Sequence, residues 1–254
     1  EEDGDLDFFY REVMNIAIPP ETAVFKSQYF QTYDEAELNL NDRDDVKRVV
    51  IVDPAKTATT TSDFTAIVGL AVDTRAGAIY VRDIVNERLT PDKITDYTFD
   101  MAQRLNCSTV GYEVTSLNEW IVQPFTNAAF QRRFYGELVE LKPRRGAGDF
   151  SIGSGGKDAR IAALAPFYRR GQVFHNPTCC ADLELQLTRF PKAKYDDVAD
   201  ALAYIIQMMF IGDVYFSPPD QADGENDDDD FERRCALMEA ADGAPYGEVE
   251  VCYD

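Results

Sequence analysis

Histidine occurs once in this chain of 254 residues, and so does tryptophan. With His175 as the sole imidazole, Ser-His-Asp and Cys-His hydrolysis would both rest on one side chain. Its neighbours Asn176-Pro177 make a turn residue the simplest reading of it. The five cysteines form an odd set without C-x-x-C spacing, and Cys179-Cys180 are adjacent. That argues against a disulfide framework and a structural zinc site, and for a reducing compartment. There is no apolar run of about 18 residues, so no membrane span is expected. The acidic start Glu1-Glu2-Asp3-Gly4-Asp5 has no apolar signal region, so secretion is not expected either. A P-loop is missing: Ser151-Ile152-Gly153-Ser154-Gly155-Gly156-Lys157-Asp158 has Ser for the first glycine and Asp for the hydroxyl that reaches Mg²⁺.

Positive charge is also scarce, with 25 basic residues against 46 acidic ones and a net charge of −21. The deficit is unevenly spread. Residues 1–46 carry 13 acids and 3 bases, a net of −10, and residues 217–254 carry 13 acids and 2 bases, a net of −11. The stretch 47–216 is neutral, and within it residues 132–194 hold 12 bases against 6 acids, a net of +6. Acidity therefore lies in two arms and a basic stretch lies between them. Such a stretch is either the electrostatic footprint of a phosphate backbone or ordinary scatter of surface charge.

Three segments emerge. Residues 217–254, with Pro218-Pro219 and the run Asp227–Asp230, read as an acidic and mostly disordered tail, with a short helix conceivable around Phe231–Ala240. Residues 1–46 read as an extended acidic lead-in, whose Phe8, Phe9, Tyr10 and Phe25–Tyr33 can pack on the core or a neighbouring domain. Residues 47–216 alternate strands and helices. Val49–Val52, Thr65–Val72 and Ala78–Val85 are strand-like, with a hairpin turn at Asp73–Gly77. Thr90-Pro91 marks a capped helix start, and Ile94–Leu105 has helical periodicity. Strand Thr109–Tyr112, helix Leu117–Arg132, strand Glu137–Leu141, helix Asp158–Arg169, strand Gln172–Phe174 and helices Cys180–Arg189 and Asp197–Phe210 complete the order. Three antiparallel strands followed by alternating helices and strands give a mixed β-sheet with helices on both faces, the order of the ribonuclease H-like α/β architecture.

Four carboxylates stand out in that order. Asp53 ends the run Val49–Val52, Glu113 follows Thr109–Tyr112, and Asp197 and Asp200 share one face in the first turns of the last helix. Individually each has a plain alternative: Asp53 as a turn residue before Pro54, Glu113 as a solvated strand end, Asp197 and Asp200 as acids favoured by a helix N-terminus. Jointly they converge at one edge of the sheet, where clustered carboxylates repel unless a cation neutralises them. Hard divalent cations take such oxygen ligands, and a pair of them drives phosphodiester hydrolysis. Asp63 and Asp196 are possible accessories. Trp120, in a helix with Ile121 and Phe125, reads as core or as a stacking platform.

The chain resembles the nuclease domain of the large terminase subunit of tailed bacteriophages. The resemblance rests on Val50-Ile51-Val52-Asp53-Pro54-Ala55, Asp63-Phe64-Thr65-Ala66-Ile67, Val110-Gly111-Tyr112-Glu113, Gly156-Lys157-Asp158-Ala159-Arg160-Ile161, Gly171-Gln172-Val173 and Tyr195-Asp196-Asp197-Val198-Ala199-Asp200-Ala201-Leu202, with Ser27-Gln28-Tyr29-Phe30 as lead-in. It covers roughly residues 20–210. The resemblance implies a ribonuclease H-like fold akin to Holliday-junction resolvases, and a metal-dependent endonuclease that cuts concatemeric viral DNA during packaging. It implies two Mg²⁺ or Mn²⁺ ions, with Asp53, Glu113 and Asp197 as ligands and Asp200 as a further ligand or orienting acid. The family pairs this domain with an ATPase domain, which this sequence lacks, so it reads as the carboxy-terminal nuclease part of a longer parent. The implied partners are double-stranded DNA, that ATPase domain, the portal and the small terminase subunit, in the host cell cytoplasm.

The glycine-rich stretch Gly146–Gly156 is flanked by Lys142, Arg144, Arg145, Lys157 and Arg160, the candidate DNA contacts; an ordinary surface hairpin is the alternative. Two other functions compete: a non-catalytic docking module for the motor or portal, and an actin-like ATPase. The ATPase would need a glycine-rich phosphate turn, and Pro54–Asp63 contains no glycine.

Overall fold

The protein is described by a computed structural model that covers residues 23–55, 64–115, 119–143 and 156–211. The chain divides into two units, Glu1–Phe216 and Ser217–Asp254, and every described residue belongs to the first. Asp63, Arg144, Arg145, the first 22 residues and the tail 217–254 lie outside the described residues.

In chain order the elements are β1 (Gln31–Thr32), α1 (Glu35–Leu38), β2 (Val46–Asp53), β3 (Thr65–Asp73), β4 (Ala78–Glu87), α2 (Pro91–Arg104), β5 (Thr109–Glu113), α3 (Val122–Gln131), β6 (Glu137–Leu141), α4 (Lys157–Ala162), α5 (Ala165–Arg169), β7 (Val173–His175), α6 (Ala181–Thr188) and α7 (Asp197–Ile211). The strands form one seven-stranded sheet in the order β1-β7-β4-β3-β2-β5-β6. The pairs β2–β3 and β3–β4 are antiparallel, while β2–β5, β5–β6, β4–β7 and β1–β7 are parallel. This is the mixed, ribonuclease H-like sheet that the element order predicts.

Strand alternation sorts the two faces. Val49 and Ile51 of β2, with Ala66, Val68, Leu70 and Val72 of β3, bury against the α7 side, where Val198, Leu202 and Ile205 lie. Val50 and Val52, with Ile67, Val110 and Tyr112, bury against the other side, built on Ile94, Phe99, Met101 and Phe125 of α2 and α3. Each fully buried large apolar side chain contributes about 1.5–3 kcal/mol, so the sheet is fixed from both faces. The hairpin between β3 and β4 turns at Asp73–Gly77. Asp73 accepts from the backbone N–H of Arg75 and Ala76, and Gly77 takes φ 63°.

Three local differences from the sequence pattern have clear causes. The helix expected over Asp158–Arg169 is two helices, because Pro166 opens the second and has no N–H to continue the first. The helix expected from Leu117 becomes a 3-10 turn, Glu119–Ile121, followed by α3, with Pro124 in its first turn. Thr90 stands at the N-cap of α2 in extended conformation, but its side chain makes no cap hydrogen bond. The described part of the lead-in is built into the fold. β1 adds a strand at the β7 edge, Phe25 packs on Tyr168 and Phe190, and Glu35 of α1 accepts from the buried Arg82.

Candidate metal centre

Register brings the first two carboxylates together. β2 and β5 run parallel with Val52 opposite Tyr112, so Asp53 and Glu113 end neighbouring strands at the same edge. Parity then aims them. Asp53 continues the series Val49, Ile51, and Glu113 continues Gly111, so both fall on the α7 face of the sheet. Helix α7 crosses that face against β2, β3 and β4 and delivers Asp200 from its first turn. Oxygens of Asp53, Glu113 and Asp200 lie within 4.8 Å of one another, a cluster able to hold a metal ion. In an open α/β sheet, sites form outside the carboxyl ends of the strands, and this one does.

The electrostatics of the cluster are those of unreconciled negative charge. Asp53 is held well above the ordinary carboxylate range, first by burial, then by the charges of Glu113 and Asp200; Lys157 offsets part of this. Cations from α4 supply the remaining balance. Arg160 forms a bidentate pair with Asp200, at 2.6 and 2.8 Å. Lys157 Nζ sits 2.7 Å from Asp196, 3.2 Å from Asp197 and 3.7 Å from Asp200. Burial opposes the charge on Lys157, but Asp200, Asp196 and Asp197 outweigh it and hold its pKa above that of an ordinary lysine.

A second layer locks the carboxylates. The Tyr204 hydroxyl donates to Glu113 Oε2 at 2.6 Å, and the Arg160 guanidinium lies over the Tyr204 ring, 4.3 Å from its centroid. Arg160 therefore bonds Asp200 and lies over the Tyr204 ring, while Tyr204 reaches Glu113. A carboxylate on a helix and a carboxylate on a strand are joined by two side chains.

The residues expected from sequence divide accordingly. Asp53, Glu113 and Asp200 are brought together. Asp197 and Asp196 lie alongside, each bonded to Lys157, so the structure ranks Asp200 ahead of Asp197 in the cluster. Lys157 and Arg160, expected as DNA contacts, are spent on these carboxylates. Lys142 is exposed just past β6. Asp63, Arg144 and Arg145 lie outside the described residues. Tyr204 is a site residue that sequence reasoning misses. Its signal is nonetheless present: it stands four residues after Asp200 and seven after Asp197, on one helical face. His175 is not a turn residue. It ends β7, fully buried, with Nε2 2.9 Å from the Tyr168 hydroxyl and Nδ1 2.8 Å from Glu184. Burial lowers its pKa despite Glu184, so it is a neutral core group. Trp120 is partly buried against the α2–α3 core.

Among the described residues no helix is long and apolar enough to cross a membrane. The sequence model of the terminase RNaseH-like domain family matches residues 50–209, more than half of the chain. No curated protein sequence matches. Solved structures share the fold. The human cytomegalovirus terminase nuclease domain aligns with a TM-score of 0.51 at 12% identity, covering 70% of this chain and 89% of that one. Variants of the nuclease domain of the large terminase subunit of bacterial virus Sf6 align similarly. One, with manganese, gives a TM-score of 0.50 at 12% identity, covering 73% of this chain and 99% of that one. Another, with calcium, gives 0.51 at 11% identity, covering 73% and 99%.

Proposed function

Because this chain belongs to the terminase RNaseH-like domain family, we propose that it is a divalent-metal-dependent endonuclease that cuts viral DNA during genome packaging. The observation that carries this reading is the cluster of three carboxylates from β2, β5 and α7, with oxygens within 4.8 Å of one another. An all-carboxylate oxygen set suits Mg²⁺ or Mn²⁺. The raised pKa of Asp53 reflects burial first and then the negative charge of Glu113 and Asp200, and a cation relieves both. The manganese bound to the Sf6 relative agrees with that choice.

Asp53, Glu113 and Asp200 would hold one ion. Asp197, with Asp196 beside it, would supply the carboxylates for a second. When bound, such a pair supplies Lewis acidity and a nucleophilic water for phosphodiester hydrolysis. The chain's own residues fix the geometry. Arg160 orients Asp200, Tyr204 orients Glu113, and Lys157 balances Asp196 and Asp197. The substrate in this reading is concatemeric double-stranded DNA. The ATPase domain of a longer parent would bring that DNA to the site and raise its effective concentration; portal and small terminase subunit complete the assembly. Residues 47–216, together with the described part of the lead-in, form the nuclease unit, and 217–254 is an acidic appendage.

The experiment is direct. The purified chain is incubated with supercoiled plasmid and Mg²⁺ or Mn²⁺, with and without chelator, beside Asp53→Asn. Metal-dependent nicking that chelator and the substitution both abolish is expected. Cutting that survives either one overturns the assignment of these residues.

A further inference from the structure

A polyanionic substrate needs cations that are not already paired, and the cations closest to the carboxylates do not qualify. Lys157 and Arg160 are bonded to Asp196, Asp197 and Asp200. The same end of the sheet carries two others. Arg88 follows β4 and Lys194 precedes α7; both are exposed, and neither forms an ion pair among the described residues. Each rests on an aromatic ring. The Arg88 guanidinium lies 5.2 Å from the Phe64 centroid, and Lys194 Nζ lies 5.0 Å from the Tyr195 centroid. The two rings meet edge to face at 5.3 Å, so the four side chains form one continuous ledge.

Register locates the ledge. Asp53 pairs with Ala66 on β3, and Ala66 pairs with Asn86 on β4. Phe64 and Arg88 each lie two residues beyond that row, projecting about 7 Å past it at the strand rise. Parity puts Phe64 on the face of Ala66 and Val68, the α7 face that also holds the carboxylates. Tyr195 immediately precedes Asp196, whose carboxylate is bonded to Lys157. The ledge therefore flanks the mouth of the cluster on the β3–β4 side. Its aromatic faces hold the two cations by ring quadrupole attraction and shared packing, which lowers the entropy lost when they engage an anion.

We propose that Arg88 and Lys194, seated on Phe64 and Tyr195, are a binding site for the backbone of duplex DNA, holding it across the end of the sheet so that a phosphodiester lies over the carboxylates. This rests on the nuclease reading and deepens it by naming where the strand is held. The ledge contacts phosphates, so it carries no base preference.

The test uses the full chain in chelator, where nothing is cleaved, with fluorescence anisotropy of a labelled duplex across a salt series. Each phosphate contact contributes about 0.9 to the slope of log K against log salt. Arg88→Ala/Lys194→Ala should therefore lose about 1.8 in slope, and its deficit against wild type should shrink about tenfold between roughly 50 and 200 mM salt. A control pair, Lys47→Ala/Arg75→Ala, removes equal charge from the opposite end of the sheet and should keep the wild-type slope. Metal-induced stabilisation against heat should be unchanged in the ledge variant, because no ligand is altered. An unchanged slope in the ledge variant, or an equal loss in the control pair, overturns the proposal while leaving the nuclease reading standing. Wild-type protein that binds no duplex even at low salt sinks both. Tyr195→Ala should weaken duplex binding by loosening Lys194; a loss confined to single-stranded DNA would mean that the ring stacks on unpaired bases, and would overturn the duplex assignment.

Discussion

At the scale of single residues the centre is a balance between like charges and the groups that tolerate them, and Asp53 feels it most. Its pKa is raised in the fold, by burial first and by Glu113 and Asp200 next, so the folded chain binds that proton more tightly than the unfolded chain does. Stability contributed by this group is therefore present at low pH and is lost as pH rises from the ordinary carboxylate range through the raised value. Metal reverses the dependence, since it binds only the ionised form and its affinity rises with pH over the same window. Asp53→Asn should flatten the pH dependence of metal-free melting from the ordinary carboxylate range upward, and should melt at least as high as wild type at the alkaline end. Metal at a hundredfold excess over Kd should stabilise the wild type by about 2.7 kcal/mol and the variant far less. Scanning calorimetry with and without Mn²⁺ checks this; an Asp53→Asn protein with the full metal shift would remove Asp53 from the ligand set. Tyr204→Phe tests the second layer. It deletes a 2.6 Å bond to Glu113, and bonds to charged groups are worth about 1.5–3 kcal/mol. Weaker metal binding by calorimetric titration is expected, with Glu113→Gln in the same background adding less than it does alone. Full additivity of the two changes would separate Tyr204 from the ligand.

At the scale of elements, the site depends on how closely α7 lies on the sheet. Gly111 lies beneath α7 without a side chain: a Cβ there would stand 2.9 Å from Met208 Sδ and 2.9 Å from Leu141 Cδ1. Gly111→Val should cost about 1–3 kcal/mol by overpacking, and by lifting α7 should separate Asp200 from Asp53 and weaken metal binding. A Gly111→Val protein that loses stability yet binds metal as wild type would show that the helix is set by other contacts. The same elements mark what the sequence discloses. Strand ends are legible because alternation and apolar runs are local properties, so Asp53 and Glu113 can be located from sequence alone. Helix α7 is legible too, as one strongly apolar periodic segment. Which of its acids enters the cluster is not legible, because Asp197 and Asp200 share a face and only packing depth separates them. Asp200 is buried at 2% exposure, whereas Asp197 stays within reach of Lys157 at the rim. The pairing of Lys157 and Arg160 with carboxylates is not legible in the sequence for a related reason. A basic residue in a basic stretch looks available, and its carboxylate partner lies 40 residues away in sequence. The break at Pro166 and the shortened helix before Val122 show proline overriding an otherwise helical pattern.

At the scale of the molecule, the nuclease reading requires a chain of net charge −21 to bind a polyanion. The charge is segregated: residues 217–254 account for −11 of it, leaving −10 for the rest. Like charge tethered near a DNA site raises the local negative potential, and that effect is screened beyond about 10 Å at 0.1 M salt. Removing residues 217–254 should therefore tighten duplex binding most at low salt and change it little near physiological ionic strength. The ligand carboxylates, their partners on α4 and α7, and both core faces all lie before residue 212. The truncated chain should accordingly keep its melting transition and its metal-induced shift. Anisotropy across a salt series on full-length and truncated protein reads the first effect, and calorimetry the second. Loss of soluble folded protein on truncation would make the acidic segment a structural part of the nuclease unit. Unchanged affinity at low salt would mean that its charge does not reach the DNA path.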